Sequence, residues 1–306
     1  MILLEGKKVA TEIKENLKKY FSPAEFRDSY VGIILLGDDK ASAVYVQMKK
    51  KFGEEVGVNV KIFGNCMQEQ ADFPNERHWF QNKNFYEIHE VLGVIQMLNA
   101  DPKCLGFLVQ LPLPTYLQAH KAQILARISP QKDLDGLGGK LFGLSTIDYL
   151  DFLPATPKAV LKLLSSYGFS DFTGKTVLVI GQSNLVGKPL AVELIKLGAE
   201  VVSVNEHISR DLLIQFSQHA DIIVSATGQA HLVDQNFINS TKSQIFVDVG
   251  YAMKDGKPTG DMNAEALAGK VAGLSPVPGG VGPVTVACIF DNLRVLLEND
   301  EKLLGI

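Results

Sequence analysis

The sequence predicts an α/β protein of two domains with parallel sheets. Three observations carry this. Short apolar runs alternate with amphipathic helical segments in two successive blocks, the pattern of parallel strands covered by helices on both faces. A chain of 306 residues can build two domains with a sizeable core. Its 46% hydrophobic and 21% charged content is that of a globular chain rather than a disordered one.

The elements follow in order. Val9, Ile13, Leu17 and Phe21 fall on one stripe of a first helix. "YVGIILLG" is a short apolar run ending in Gly37 and reads as a buried parallel strand. The segment from Ala41 reads as a helix with Val44, Met48, Phe52 and Val56 inward, Ser42 as its cap and Gly57 as its stop. "VNVKIF" is a second strand, "FYEIHEVLGVIQMLN" a helix and "LGFLVQLPLP" a third strand. Between them, Gly64 to Asn84 is polar and aromatic, holds Trp79, and reads as a loop or short extra helix. The second block opens with the helix "LPATPKAVLKLLSSYG". It continues as strand "TVLVI", helix "PLAVELIKLG", strand "VVSVN", helix "RDLLIQFSQH" and strands "DIIVSA" and "QIFVDVG". "VTVACIFDNLRVLLEND" is a long last helix, expected to return to the first domain. The boundary is placed near residues 138–150, giving 1–140 with 280–306 as one domain and 141–279 as the other.

A net charge of -4 gives no reason to expect nucleic acid or an anionic membrane as partner. Cys66, Cys104 and Cys288 are odd in number and lack metal-ligand spacing, which suggests reduced, packed thiols. Of the histidines only His78 and His89 share a neighbourhood, and no metal site is expected. The start, "MILLEGKKVATEIKENL", has charges too early for a signal peptide, and no apolar run spans a bilayer. A cytoplasmic protein is the expectation.

Two stretches invite chemistry. Tyr45 and Lys49 lie one turn apart beside the apolar stripe, whereas Lys50 points to water. A lysine held in a cleft loses its proton readily and can serve as a base; the competing reading is plain surface charge. "VIGQSNLVGKPLAVELI" places Gly181 and Gly187 between a strand and a helix. Glycine permits the tight turn, and the helix start offers free amides to a diphosphate. This makes the second domain Rossmann-like and dinucleotide-binding; an ordinary tight connection is the alternative. Ser183 stands where the middle glycine of G-x-G-x-x-G falls, with its hydroxyl as a donor. Glu206 lies about 20 residues past the loop, where an acid takes the ribose 2′-hydroxyl of NAD and repels the 2′-phosphate of NADP. His207 and Arg210 beside it are alternative phosphate ligands, and a merely solvated Glu206 stays open.

"YVQMKKK", "VQLPLP", "KDLDG", "VIGQSNLVGKP" and "SPVPGGVGPVT" occur in that order. Together they resemble the bifunctional methylenetetrahydrofolate dehydrogenase/methenyltetrahydrofolate cyclohydrolase family, over almost the whole chain. The resemblance implies hydride transfer from 5,10-methylenetetrahydrofolate to NADP, then hydrolysis of the methenyl product to 10-formyltetrahydrofolate. It makes 1–140 with 280–306 the catalytic, folate-binding domain and 141–279 the NAD(P)-binding domain. It makes Lys49 the acid/base residue, Gln110 its hydrogen-bond partner, Tyr45 a stacking platform for the aminobenzoyl ring and Asp135 the anchor of the pterin ring. Lys51 matches a second, supporting lysine. Pro278, Gly279 and Gly282 are expected to bring backbone close to substrate. Gly181, Gln182, Ser183, Gly187, Glu206, His207 and Tyr251 are expected at the coenzyme. A homodimer through the nucleotide domains is implied too. Each residue has a plainer role open to it, such as a turn aspartate before Gly136 or a rigid Pro-Gly loop.

The chain departs from the family pattern in two places. After "KDLDG" it has Leu137, Gly138 and Gly139 instead of an aromatic residue and His-Pro, which suggests a more flexible segment. Gln182 stands where many relatives carry arginine, which with Glu206 leaves NAD open as the coenzyme.

Overall fold

The structure is a computed structural model describing residues 1–64, 87–254 and 256–303. The elements begin with β1 (Ile2–Leu3), α1 (Gly6–Tyr20), β2 (Tyr30–Leu35), α2 (Lys40–Glu55), β3 (Asn59–Gly64), α3 (Ile88–Ala100) and β4 (Cys104–Val109). Two short helices follow, α4 (Lys121–Leu125) and α5 (Lys140–Thr146), and then α6 (Ala155–Ser166). The next block is β5 (Thr176–Ile180), α7 (Gly187–Lys196), β6 (Glu200–Val204), α8 (Arg210–His219), β7 (Ile222–Ser225) and β8 (Ile245–Asp248). The chain closes with β9 (Ala252–Lys254), β10 (Lys257–Thr259), α9 (Ala264–Leu267), β11 (Gly273–Leu274), α10 (Val281–Glu298) and α11 (Asp300–Leu303).

The chain divides into two compact units, Met1–Ile13 with Leu153–Cys288 and Lys14–Phe152 with Ile289–Ile306. The division differs from the boundaries expected from sequence because β1 pairs in parallel with β11, tying the first residues to the nucleotide unit. Residues 141–152 fall with the other unit, and α10 begins in one unit and ends in the other.

The unit holding α2 is built on a parallel sheet ordered β3-β2-β4. All six residues of the central β2 are buried, which is why its sequence is continuously apolar. Its core includes Ile34, Phe63, Val94, Leu98 and Phe107. From the last helix, Phe290 packs on Phe52 with ring centroids 5.4 Å apart, and Asn292 Nδ2 donates to the Leu134 carbonyl at 3.0 Å.

The other unit carries a parallel sheet ordered β1-β11-β8-β7-β5-β6. After β5 the chain crosses over α7 to β6, then returns over α8 to β7 on the opposite side of β5. The strand order therefore reverses at β5, and in such sheets ligands sit at the carboxyl ends of the strands where this happens. The antiparallel β9–β10 pair, β1 and β11 were not legible as strands in the sequence.

Helix α2 corrects three sequence expectations. Asp39, not Ser42, caps it, accepting from the Ser42 N–H at 2.7 Å. Val44 and Met48 are exposed at 60% and 43%, whereas Phe52 and Val56 are buried as expected, and the buried face of the helix runs through Ser42, Val46, Lys49, Phe52 and Gly53. Lys50 is not fully solvated: its side chain is 19% exposed and lies 4.0 Å from Glu54. Lys51 is the exposed lysine. Gly53 explains the depth of this face. A Cβ there would come within 2.5 Å of Val60 and 2.9 Å of Phe290, so only glycine lets α2 settle this close to β3. Lys49, one turn earlier on the same face, is carried inward with it. Gly57, at φ +86°, follows the helix end as expected. The Gly64–Asn84 stretch lies outside the described residues from residue 65 onward, and so do Cys66, His78 and Trp79.

Candidate active site

Three elements of the α2 unit bring together Lys49, Gln110 and Asp135. Lys49 is 8% exposed and its ammonium donates to Gln110 Oε1 at 2.9 Å. Gln110 follows the end of β4 and is fixed at both of its own ends. Its backbone N–H donates to the Ile34 carbonyl at 2.8 Å, and Nε2 donates to the Leu111 carbonyl at 2.6 Å. With Nε2 occupied, the amide oxygen is the end left facing the lysine. Burial pulls the Lys49 pKa below the usual lysine range, and the charge of Asp135 opposes that shift. Burial likewise pushes the Asp135 carboxyl up, with Lys49 opposing. The trio can therefore hold a lysine whose proton is made easier to lose by burial, beside a group that accepts hydrogen bonds. Tyr45 is half-buried one turn before Lys49.

Sequence reading missed Asp133, the first aspartate of "KDLDG". It is 2% exposed and accepts from the backbone N–H groups of Gly138 at 2.7 Å and Leu137 at 3.3 Å. A Cβ on Gly138 would lie 3.0 Å from Asp133 Oδ2, and the Leu137 side chain packs against the core. The Leu137–Gly139 segment is thus pinned by Asp133 rather than loosened by its glycines.

In the other unit, Pro278 and Gly279 lie in the turn before α10 and Gly282 in its first turn. Gly279, at φ +108°, accepts at its carbonyl from the Gly6 N–H at 2.8 Å. A Cβ on Gly282 would meet nothing within 4 Å.

A cavity of about 840 Å³ opens at the carboxyl ends of β5, β6 and β7, where the strand order reverses. Gly181, Gln182, Ser183 and Glu206 line it; Gly187, His207 and Tyr251 do not. Lys188, Asn205, Arg210 and Thr227 line it as well, and of these the sequence reading named only Arg210. Gly181 has φ +107°, and a Cβ there would sit 2.5 Å from the Ala226 carbonyl. A Cβ on Gly187 would sit 1.7 Å from the Gly181 carbonyl. The loop can close onto α7 only with glycine at both places, and the Lys188 N–H at the start of α7 donates to the Ser183 carbonyl at 3.1 Å. Ser183 Oγ accepts from the Val186 N–H at 3.1 Å. These residues fit a dinucleotide.

Two buried aspartates lie close by, and one of them, Asp261, holds the cavity-lining Thr227. Asp261 Oδ2 accepts from Ser225 Oγ at 2.7 Å and from the N–H and Oγ1 of Thr227 at 2.7 and 2.9 Å. Asp248 accepts from the N–H groups of Gly250, Asp261 and Met262 at 3.1, 3.0 and 2.8 Å. Burial raises the Asp248 carboxyl to about 7 despite these donors, with the Asp261 charge adding to the rise. Burial raises Asp133 to about 7 also. Between about pH 4 and pH 7 the unfolded chain releases both protons while the folded chain keeps them, so stability falls as pH rises. We expect each group to weaken folding by up to about 1.4 kcal/mol per pH unit in that window. Urea midpoints at about pH 5 and about pH 6.5 would measure this; a flat or rising midpoint would contradict it.

Among the described residues, no group of three or more His, Cys, Asp or Glu side chains could hold a metal, and no helix is long and apolar enough to cross a membrane. Among the described residues, the buried Cys104 and Cys288 form no disulfide, and burial pushes the Cys104 thiol up to about 11.

Comparison with known proteins finds one family along the chain. Residues 4–135 match the tetrahydrofolate dehydrogenase/cyclohydrolase catalytic domain, and residues 154–301 match the NAD(P)-binding domain of the same family. The chain is 35% identical over 296 residues to the bifunctional protein FolD of Lactobacillus gasseri, covering 96% of each. It resembles the crystal structure of the bifunctional FolD enzyme of Campylobacter jejuni with a TM-score of 0.82 and 33% identity, over 98% of this chain and 99% of that one. The Trypanosoma brucei dehydrogenase-cyclohydrolase, solved with NADP and an inhibitor, gives a TM-score of 0.85 and 26% identity over 99% of each chain. With both domains matched in order and relatives aligned nearly end to end, the chain belongs to the tetrahydrofolate dehydrogenase/cyclohydrolase family.

Proposed function

We propose that this protein oxidises 5,10-methylenetetrahydrofolate to 5,10-methenyltetrahydrofolate with a nicotinamide dinucleotide, then hydrolyses the product to 10-formyltetrahydrofolate. The observation that carries the reading is the buried Lys49, hydrogen-bonded to Gln110 and within the field of Asp135. The nicotinamide ring supplies the hydride acceptor. Lys49 supplies and removes protons at the one-carbon unit, which needs a lysine whose neutral form is accessible. Gln110 orients its ammonium. Tyr45 offers a ring to the aminobenzoyl group, and Asp135 accepts from the N–H edge of the pterin, a planar donor pair suited to a carboxylate. Pro278, Gly279 and Gly282 bring backbone to the substrate. Gly181, Gln182, Ser183, Gly187 and Glu206 hold the coenzyme, NADP being the one bound in the Trypanosoma brucei relative.

The test is an assay on the purified protein with methylenetetrahydrofolate and each of NAD and NADP. Methenyl product should appear by its absorbance and be hydrolysed in the same mixture. No methenyl formation with either coenzyme would refute the reading.

A cytoplasmic homodimer, without nucleic-acid or membrane partners, completes the proposal. Support for the dimer comes from the outer strand β6 and the exposed Ile195 and Leu197 at the end of α7. The net charge of -4 supports the absence of nucleic acid, and the buried reduced thiols suit the cytoplasm.

A further inference from the structure

We propose that this chain takes NAD in preference to NADP and that Glu206 sets the choice. The inference rests on the coenzyme reading above. Three observations at the ribose end of the 840 Å³ cavity support it.

The first is the position of the carboxylate. β6 ends at Val204, and Glu206 lines the cavity two residues later. The turn is held in place: Asn205 Nδ2 donates to Gln182 Oε1 at 3.2 Å, and Asn205 Oδ1 accepts from the His207 N–H at 3.0 Å. An acid past the second strand of such a unit accepts from the ribose 2′-hydroxyl. The same acid opposes a 2′-phosphate, whose charge lies between one and two at neutral pH.

The second is the state of Gln182. Its Nε2 donates to the carbonyl and hydroxyl of Ser203 at 3.0 and 3.2 Å, while its oxygen takes the Asn205 amide. Both ends of the amide are thus committed to the fold. It brings no positive charge to a phosphate.

The third is where the cations go. Lys188 and Arg210 are the charged donors lining the cavity. Arg210 pairs with Asp234 at 2.8 Å, donates to the Leu232 carbonyl at 3.1 Å and lies over the Phe237 ring at 5.5 Å. Its charge is balanced by Asp234 before any ligand arrives. Lys188 is in the first turn of α7, bonded to Asn184 at 2.8 Å, so it serves the diphosphate end. The ribose end therefore presents a carboxylate with no uncommitted cation among the described lining residues. The balance at that end disfavours a second phosphate and accepts a diol.

The test uses the full chain and two readouts. Fluorescence titration with NADH and NADPH gives binding independent of turnover, and steady-state kinetics with NAD and NADP gives KM and kcat separately. NADH is expected to bind on the order of tenfold tighter than NADPH, a partly screened charge repulsion. Glu206→Gln should narrow that ratio severalfold, mainly by lowering KM for NADP. NADPH binding as tightly as NADH, an unchanged ratio in Glu206→Gln, or binding of neither coenzyme would each overturn the proposal. Tight NADH binding without turnover would uphold the coenzyme choice and refute the folate reaction instead.

Discussion

Lys49→Met is expected to lower both hydride transfer and methenyl hydrolysis, each by roughly two to four orders of magnitude, the scale of a lost general acid–base group. Methionine fills the buried channel of the lysine stem, so loss of activity is not loss of fold. What disappears is the donor to Gln110 Oε1 and a group whose proton is made labile by burial. Lys49→Arg should not rescue. Arginine keeps its proton at any working pH, and its fork does not fit a partner that offers one oxygen. Both activities, measured on one preparation with its unfolding midpoint, decide the matter. A variant that folds and hydrolyses the methenyl compound normally would show that the lysine does not serve both steps, and the shared site would be abandoned.

The inward lysine also shows what a sequence can and cannot disclose. Local hydropathy puts Val44 and Met48 on the buried stripe of α2, and both are exposed. The buried face is chosen instead by Gly53, which admits β3 and Phe290, and by Gln110, which satisfies the lysine from 61 positions away. Neither influence is visible in a window of one helix. β2, β5 and α8 were legible because burial on both faces, or on one stripe, writes itself into consecutive residues. β1 and β11 were not: each is two residues long, and they pair across the length of the chain. The glycines of the nucleotide loop were legible since their reason is local geometry. Asp133, Asp248 and Asp261 were not, because their partners are mostly backbone N–H groups, which any sequence supplies. Within the candidate site, Lys49, Gln110 and Asp135 were found through a pattern of separated motifs and not through any one of them.

Gly187→Ala separates the two units by function. The added Cβ would fall 1.7 Å from the Gly181 carbonyl, with backbone also at 2.7 and 3.2 Å. No flexible side chain can yield there, so the loop between β5 and α7 must lift from the helix start. Overpacking of this kind costs about 1–3 kcal/mol. Where the strain is relieved by moving the coenzyme loop, it appears as weaker binding, roughly ten- to a hundredfold. Coenzyme binding and dehydrogenase turnover should therefore fall together. Hydrolysis of supplied methenyltetrahydrofolate should persist, because Lys49, Gln110 and Asp135 belong to the other unit. The persisting hydrolysis is also the control for folding, since a globally unfolded variant would lose it. Gly143, where a Cβ meets nothing within 4 Å, gives a neutral comparison through Gly143→Ala. If Gly187→Ala bound NADH as tightly as the parent chain, the diphosphate would not lie on this loop, and the placement of the coenzyme at the β5 switch point would have to be given up.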